Sequence, residues 1–334
     1  MFKRPVFAGV LLAAALAVTA CGTQGGAQSP APGETSGGGG GEAKALTIGL
    51  VMLQGDDYFK NIQTGLENAV KADGGTVVPV NSNNDPGTEA QSVQNLIQRK
   101  VDAILIQPVS ADSSIATLKS IKDAGIPMIC YGNCTGEALN PELVQGAAQS
   151  DNTALGTATG EVAAKYIKDN LGNKAVVGIL NCDSAAETCK LRKAGFKKAL
   201  EDAGVEADFA ADQEGYLADK ATPVATNMLS SNPNINVVWG SNEGGTVGLV
   251  TAVKQSGAKV AVFGTDISEQ IAGFVKDGSL QATTGQDPQS TAAKAYEMAK
   301  KAIAGEMNDP VEELIPGITY SHEDLTTTEE YLNR

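Results

Sequence analysis

Histidine is almost missing from this chain. The single one, His322, sits near the C-terminus, so the body of the protein lacks the commonest general base. No Gly-x-Ser-x-Gly elbow offers a serine nucleophile, and no spaced cluster of His, Cys, Asp and Glu offers a metal site. Neither a Gly-x-Gly-x-x-Gly run nor a Gly-Lys-Ser/Thr cradle is present, which removes the common phosphate loops. Aromatic residues make up only 4%, so each one beside a loop carries weight. Positive charge is also scarce. Lys and Arg number 25 against 39 Asp and Glu, a net charge of −14, which argues against a nucleic-acid partner. The sequence thus points away from a cofactor, a resident metal and enzymatic chemistry.

The apolar run Val6 to Ala20 follows a short basic start, Lys3-Arg4, and is too short to span a bilayer. Residues 1–20 read as an export signal. The small residues ahead of Cys21 resemble a bacterial lipobox, which implies cleavage before Cys21 and acylation of its thiol. Residues 21–43 follow as the lipidated cysteine and a tether of Gly, Ser, Pro, Ala and Gln, with five glycines at Gly37 to Gly41. Such a segment buries no core and behaves as a flexible linker. The expected location is extracytoplasmic, on a cell membrane through the lipid. The folded part begins near Lys44, and its length of about 290 residues suits two α/β domains.

Four cysteines remain: Cys130, Cys134, Cys182 and Cys189. Outside the cytoplasm an even number invites disulfides, and four allow three pairings. The local pairing, Cys130–Cys134 and Cys182–Cys189, is the expectation. Each bridge closes a small loop, contributing about 2 to 2.5 kcal/mol in the chain-entropy account. A crossed pairing would staple together two halves that must move. Zinc is the alternative, but the spacings are not paired Cys-x2-Cys and His322 is remote.

From Leu46 the pattern alternates strand and helix. Leu46 to Leu53 is largely apolar and of strand length. Gln54 to Phe59 breaks it, and Ile62, Leu66, Ala69 and Val70 then share a helical face. A strand that is apolar throughout is buried on both faces, as in a parallel sheet. The alternation runs to Cys130 and begins again after Gln149 to Asn152, continuing to Ala304. It predicts right-handed βαβ units in two doubly wound halves facing each other across a cleft. In the second half, Asn181 to Lys190 reads as a polar loop and Leu191 to Ala203 as a helix. The tail after Gly305 is less regular, and Thr326 to Arg334 takes no assignment.

Ligands of such sheets bind at the carboxyl ends of the strands. Those ends carry Asp56, Asp57, Tyr58 and Phe59, then Gln107, then Tyr131 and Asn133. The second half offers Asp183, Glu187, Lys190, Arg192, Tyr216, Asn242, Asp266 and Gln286. Amides, carboxylates and cations donate to and accept from hydroxyls, and aromatic faces cover C–H surfaces. A neutral polyhydroxylated ligand fits this set better than a nucleotide. Taken singly, Gln107 carries no more than the polarity of any loop. Trp239 lies in an apolar run and fits a core at least as well as a stacking role.

The landmarks Asp56-Asp57-Tyr58-Phe59, Asn83-Asn84, Ile126-Pro127, Ser150-Asp151-Asn152, Arg192 to Phe196, Ser241-Asn242-Glu243, Thr265-Asp266 and Asp277-Gly278 follow in an order found elsewhere. From Leu46 to about Pro310 the chain resembles the ribose-binding-type (type I) periplasmic sugar-binding proteins of ABC importers. The resemblance implies two Rossmann-like lobes joined by three crossings, near Gln149–Asp151, Gln286–Pro288 and Pro316. The N-terminal lobe would hold 44–149 and 287–315, the C-terminal lobe 150–286 and 316–334. Tyr58, Phe59 and Tyr216 would sandwich a sugar ring. Asn242, Asp266 and Gln286 would bind its hydroxyls, and Lys190 stands where an arginine is usual. With Tyr131, Asn133, Asp56, Asp57 and Asp183 these form the expected ligand set.

Gly132-Asn133 replaces an Asp-Arg fork of the ribose type, which leaves open a related monosaccharide, a polyol or another small polar ligand. The implied function is capture without chemistry by a monomer that delivers ligand to a membrane permease. The alternatives are a sensor feeding a membrane receptor, a LacI-type regulator, and a glycosidase using Asp183 with Glu187. The export signal argues against the regulator.

Overall fold

The computed structural model describes residues 45–134, 136–307 and 311–333. The export signal, Cys21 and the tether lie outside these residues, so the expectations made for them are carried by sequence alone. No helix among the described residues is long and apolar enough to cross a membrane.

Strand β1, Thr47–Met52, shows why the first half forms a parallel sheet. Ile48, Leu50 and Met52 enter one core and Val51 enters another, so both faces are covered. Helix α1 (Asp57–Ala72), β2 (Thr76–Asn81), α2 (Pro86–Gln98), β3 (Ala103–Ile106), α3 (Ile115–Asp123), β4 (Met128–Gly132) and β5 (Gly146–Ser150) follow. The chain then leaves this sheet. Helix α4 (Asn152–Leu171), β6 (Lys174–Asn181), α5 (Glu187–Asp202), β7 (Glu206–Glu214), α6 (Ala218–Ser231), β8 (Val237–Gly240), α7 (Glu243–Ser256), β9 (Ala261–Thr265), α8 (Glu269–Lys276) and β10 (Ala282–Gly285) build the second half. Helix α9 (Pro288–Ile303) and β11 (Val311–Ile315) return to the first; β12 (Ile318–Ser321) and α10 (Thr326–Leu332) end in the second.

The two sheets have the same plan. One runs β11-β5-β4-β3-β1-β2, parallel throughout. The other runs β12-β10-β9-β8-β6-β7, parallel except for β12 against β10. The doubly wound α/β architecture expected from the alternation is therefore present. In the first half α1 and α9 cover one face through Ile62, Leu66, Val70, Ala292, Ala295 and Ala299. Helices α2 and α3 cover the other through Val93, Leu96, Leu118 and Ile121. In the second, α4 and α5 cover one face and α6 to α8 the other. Each fully buried aliphatic side chain contributes about 1.5–3 kcal/mol. Trp239 belongs to this core: it is fully buried and stacks on Phe196 at 4.6 Å.

The chain passes from sheet to sheet at Ser150–Asn152, Gly285–Pro288 and Ile315–Ile318. The first and second passages touch, since Ser150 Oγ donates to Gln286 Oε1 at 2.9 Å. In both sheets the strand order reverses beside the first strand, between β1 and β3 and between β6 and β8. Loops there leave a crevice at the carboxyl edge.

Candidate functional site

Helix α1 starts at the first of these crevices. Asp56 caps it, accepting from Phe59 N at 3.3 Å, and Asp57 pairs with Lys60 at 2.8 Å on the exposed surface. That geometry sets Tyr58 inward beside the ends of β3 and β4. A Cβ on Gly132 would collide with Gln107 Oε1 and stand 3.2 Å from Tyr58 Oη. Gly132 has φ of 77°, which suits glycine alone, so the chain keeps this space clear of side chain. Gln107 is only 7% exposed, yet its Oε1 and the Tyr58 hydroxyl have no hydrogen-bond partner among the described residues. Two buried polar atoms without partners at a crevice are costly unless a ligand or water satisfies them.

Tyr58 also faces the second half. Burial pushes its hydroxyl well above the ordinary value; Asp56 and, from the second half, Asp266 push the same way, while Arg192 opposes. The hydroxyl therefore stays protonated and can both donate and accept.

Opposite lies a connected polar network. Arg192, on α5, donates from Nε to Asn152 Oδ1 at 2.9 Å and from Nη1 to Ser241 O at 3.1 Å. The same Nη1 reaches Asp266 Oδ2 at 3.2 Å, and this ion pair is largely buried. Glu243 N donates to Asp266 Oδ2 at 3.1 Å, and Gln286 Nε2 donates to Asp266 Oδ1 at 3.2 Å. Asp266 sits at φ of 72°, a strained setting for a residue with a side chain. Its backbone holds it there: Asp266 N donates to Thr284 O at 2.9 Å, and Thr283 Oγ1 donates to Asp266 O at 2.7 Å. Through Gln286 and Ser150 the network reaches the passages between the sheets.

The structure brings Tyr58, Asp266 and Gln286 together, sets Asp56 and Asp57 beside them, and gives the other expected residues different surroundings. Phe59 and Tyr131 are core residues, 3% and 0% exposed, in edge-to-face contact at 6.5 Å. The Tyr131 hydroxyl donates to Val51 O at 3.0 Å, so neither ring matches the contact expected of it. Asn242 caps α7, accepting from Gly245 N at 3.1 Å and donating to Tyr216 O at 2.8 Å. These two bonds fix the amide, and each end keeps one further donor or acceptor position. Tyr216 is 61% exposed, and its backbone carbonyl accepts from Asn242. Lys190 corrects the arginine expectation: it is exposed on the first turn of α5 and pairs with Glu187 at 3.6 Å. Asp183 is exposed and accepts from Ala185 N at 2.7 Å. Asn133 is exposed beyond Gly132. Glu243 stands opposite Asp56 and Asp57 and feels both, together with Asp266; burial is the largest cause of its raised pKa.

Arg192 and Gln107 stand among the strand-end polar residues of the sequence but outside the expected ligand set. The signal for Arg192 was its place three residues after Cys189, one turn along a buried helical face. The signal for Gln107 was its place at the end of a fully buried strand. Cys130 and Cys134 are bridged, as are Cys182 and Cys189, with Cα atoms 6.0 and 5.9 Å apart. Among the described residues no group of His, Cys, Asp and Glu is arranged to hold a metal.

Two like-built α/β halves, triply connected, with polar groups meeting between them, define a two-lobed solute-binding protein. Comparison with known proteins agrees. The family described as the periplasmic binding protein domain matches residues 48–307, and the chain belongs to that family. It is 33% identical over 233 residues to the ABC transporter periplasmic-binding protein YphF of Escherichia coli (strain K12), covering 69% of this chain and 71% of that one. The ribose import binding protein RbsB of Bacillus subtilis (strain 168) is 30% identical over 267 residues, 79% of this chain and 84% of its own. Among solved structures, an ABC transporter periplasmic solute-binding protein of Actinobacillus succinogenes 130z with bound D-allose superposes with a TM-score of 0.71 at 27% identity, covering 86% of this chain and all of that chain. The protein is thus an extracytoplasmic solute-binding component of an ABC transporter, in a family of binders and not of enzymes.

Proposed function

We propose that the ligand is a neutral monosaccharide or polyol, held between Tyr58 and Gln107 on one side and Arg192, Asp266 and Gln286 on the other. The observation that carries this reading is the partnerless buried Tyr58 hydroxyl, which faces Arg192 and Asp266 of the second half and shares the space at Gly132 with the partnerless Gln107 Oε1. A hydroxyl donates and accepts at one atom, so a polyol satisfies both walls at once. Charge argues the same way. Asp266 already neutralises Arg192, and Asp56, Asp57 and Glu243 would repel an anion. Arg192 Nη2 makes no bond to a described residue and is the group left to meet a ligand oxygen.

The relatives support this class. RbsB of Bacillus subtilis is named for ribose import, a Mycolicibacterium smegmatis relative for xylitol, and the Actinobacillus structure holds D-allose. In this reading residues 44–149 with 287–315 move against 150–286 with 316–334 about the three passages. Ligand favours the closed arrangement because only there do both walls touch it. The closed monomer, tethered through acylated Cys21, would then meet its permease.

Thermal-shift screening followed by calorimetry tests the proposal, using D-ribose, D-allose, xylitol and myo-inositol against amino acids and sugar phosphates. A neutral polyol should stabilise by about 2.7 kcal/mol at a hundred times its Kd. Binding confined to an amino acid or a phosphorylated sugar would overturn it.

A further inference from the structure

We propose that the Cys182–Cys189 disulfide restrains the first turn of α5, which has no side-chain cap, and thereby positions Arg192 in the cleft. The inference rests on Arg192 touching ligand, as proposed above, but its structural half can be measured without any ligand.

Four other helices that start near the lobe junction are capped by a side chain. Asp56, Asp151, Asn242 and Asp287 accept from Phe59, Ala154, Gly245 and Ser290 N–H groups at 2.8 to 3.3 Å. Helix α5 begins after Ala186, whose side chain accepts nothing. Its first amides therefore lack the partner that the others have. The bridge supplies a different restraint. Cys189 is the third residue of α5, and Arg192 follows one turn later on the same buried face, 3% and 8% exposed.

Cys182 in turn is fastened at the end of β6. Its N–H donates to Ser241 Oγ at 2.7 Å, and Ser241 Oγ donates to Asn181 Oδ1 at 3.2 Å. The carbonyl of Ser241 accepts from Arg192 Nη1 at 3.1 Å. The links close a ring: β6 end, disulfide, first turn of α5, Arg192, Ser241, and back to Cys182. Opening it at the bridge frees the first turn of α5, one turn ahead of the guanidinium. The other bridge, Cys130–Cys134, lies in the opposite lobe and makes no part of this ring.

The test compares the full chain with Cys182→Ser/Cys189→Ser, with that pair plus Ala186→Ser, and with Cys130→Ser/Cys134→Ser. Hydrogen exchange of the amides of 190–192, the first in α5 with helical partners, is followed without ligand, and affinity is measured for whichever polyol binds the natural chain. The first variant should lose about tenfold in amide protection over 190–192 and about tenfold in affinity, with β6 and α4 protected as before. Adding Ala186→Ser, a neutral cap, should restore most of both. The Cys130/Cys134 variant should leave exchange over 190–192 unchanged. Protection and affinity within twofold of the natural chain, or a loss that Ala186→Ser leaves untouched, would overturn the proposal. If no polyol binds the natural chain, the ligand reading fails while the exchange data still decide the role of the bridge.

Discussion

Lys190 and Arg192 are two residues apart and have opposite environments. On a helix that separation turns the side chains to different faces, and here one is exposed while the other is buried. Arg192 holds three protein oxygens in a planar fork that an ammonium cannot reproduce. Arg192→Lys is therefore expected to lose ligand affinity by the worth of a charge-assisted hydrogen bond, about 1.5–3 kcal/mol, or roughly 10- to 150-fold. Lys190→Ala should stay within about twofold, because an exposed pair with Glu187 contributes little. Calorimetry on both variants separates the two residues. Equal losses would show that Lys190 reaches the ligand and that the burial of Arg192 is structural.

At the scale of elements, α4 and α5 touch backbone to backbone, and glycine makes that possible. A Cβ on Gly195 would collide with Thr153 O and stand 2.9 Å from Thr157 N; one on Gly156 would collide with Arg192 O. This close approach brings Asn152, at the start of α4, within reach of Arg192. Gly195→Ala should part the helices, costing about 1–3 kcal/mol of stability and weakening ligand binding as well. Gly273→Ala, on α8 with nothing nearby, should instead stabilise by up to about 1 kcal/mol. Denaturant midpoints with calorimetry check the contrast, and a Gly195 variant as stable and as tight as the natural chain would refute it. Most elements of the fold were legible because their strands are apolar runs and their helices have one apolar face. Three kinds of element were not. Helix α5 starts without a capping residue, so the sequence of its first turn has the look of a loop that ends at Lys190. Strand β5, Gly146-Ala147-Ala148-Gln149-Ser150, has no β-branched residue and is a strand because β4 and β11 flank it. Strand β11 is an edge whose Glu312 and Glu313 face water, and β12 pairs antiparallel, so neither shows the pattern of a buried parallel strand. The site was legible where residues end a strand, as Asp266 and Gln286 do. It was illegible where a polar residue lies within a helix or where a core ring adjoins a loop.

At the scale of the whole molecule, carboxylates from both lobes confront each other. Asp56 and Asp57 at the start of α1 act on Glu243 at the start of α7, and Asp266 adds to them. Burial is the largest cause of the raised Glu243 pKa, these three charges push the same way, and the Ser268 hydroxyl partly offsets them. A carboxyl with a raised pKa binds its proton more tightly in this arrangement than in the unfolded chain. Its contribution to stability is thus full below the ordinary value of 4.5 and is lost as pH rises through the folded value. At neutral pH the ionised Glu243 opposes the approach of the lobes. Glu243→Gln removes that opposition while keeping shape. The variant is expected to melt above the natural chain at about pH 7.5, with the gap closing by about pH 4, where Glu243 is itself protonated. Added salt should narrow the gap at pH 7.5, because the charges lie near solvent. The approach of the lobes should follow the same order: at low ionic strength and neutral pH, small-angle scattering should find the variant the more compact. A melting gap that is constant with pH, or one that favours the natural chain, would mean that the three carboxylates do not confront each other in solution as they do across this cleft.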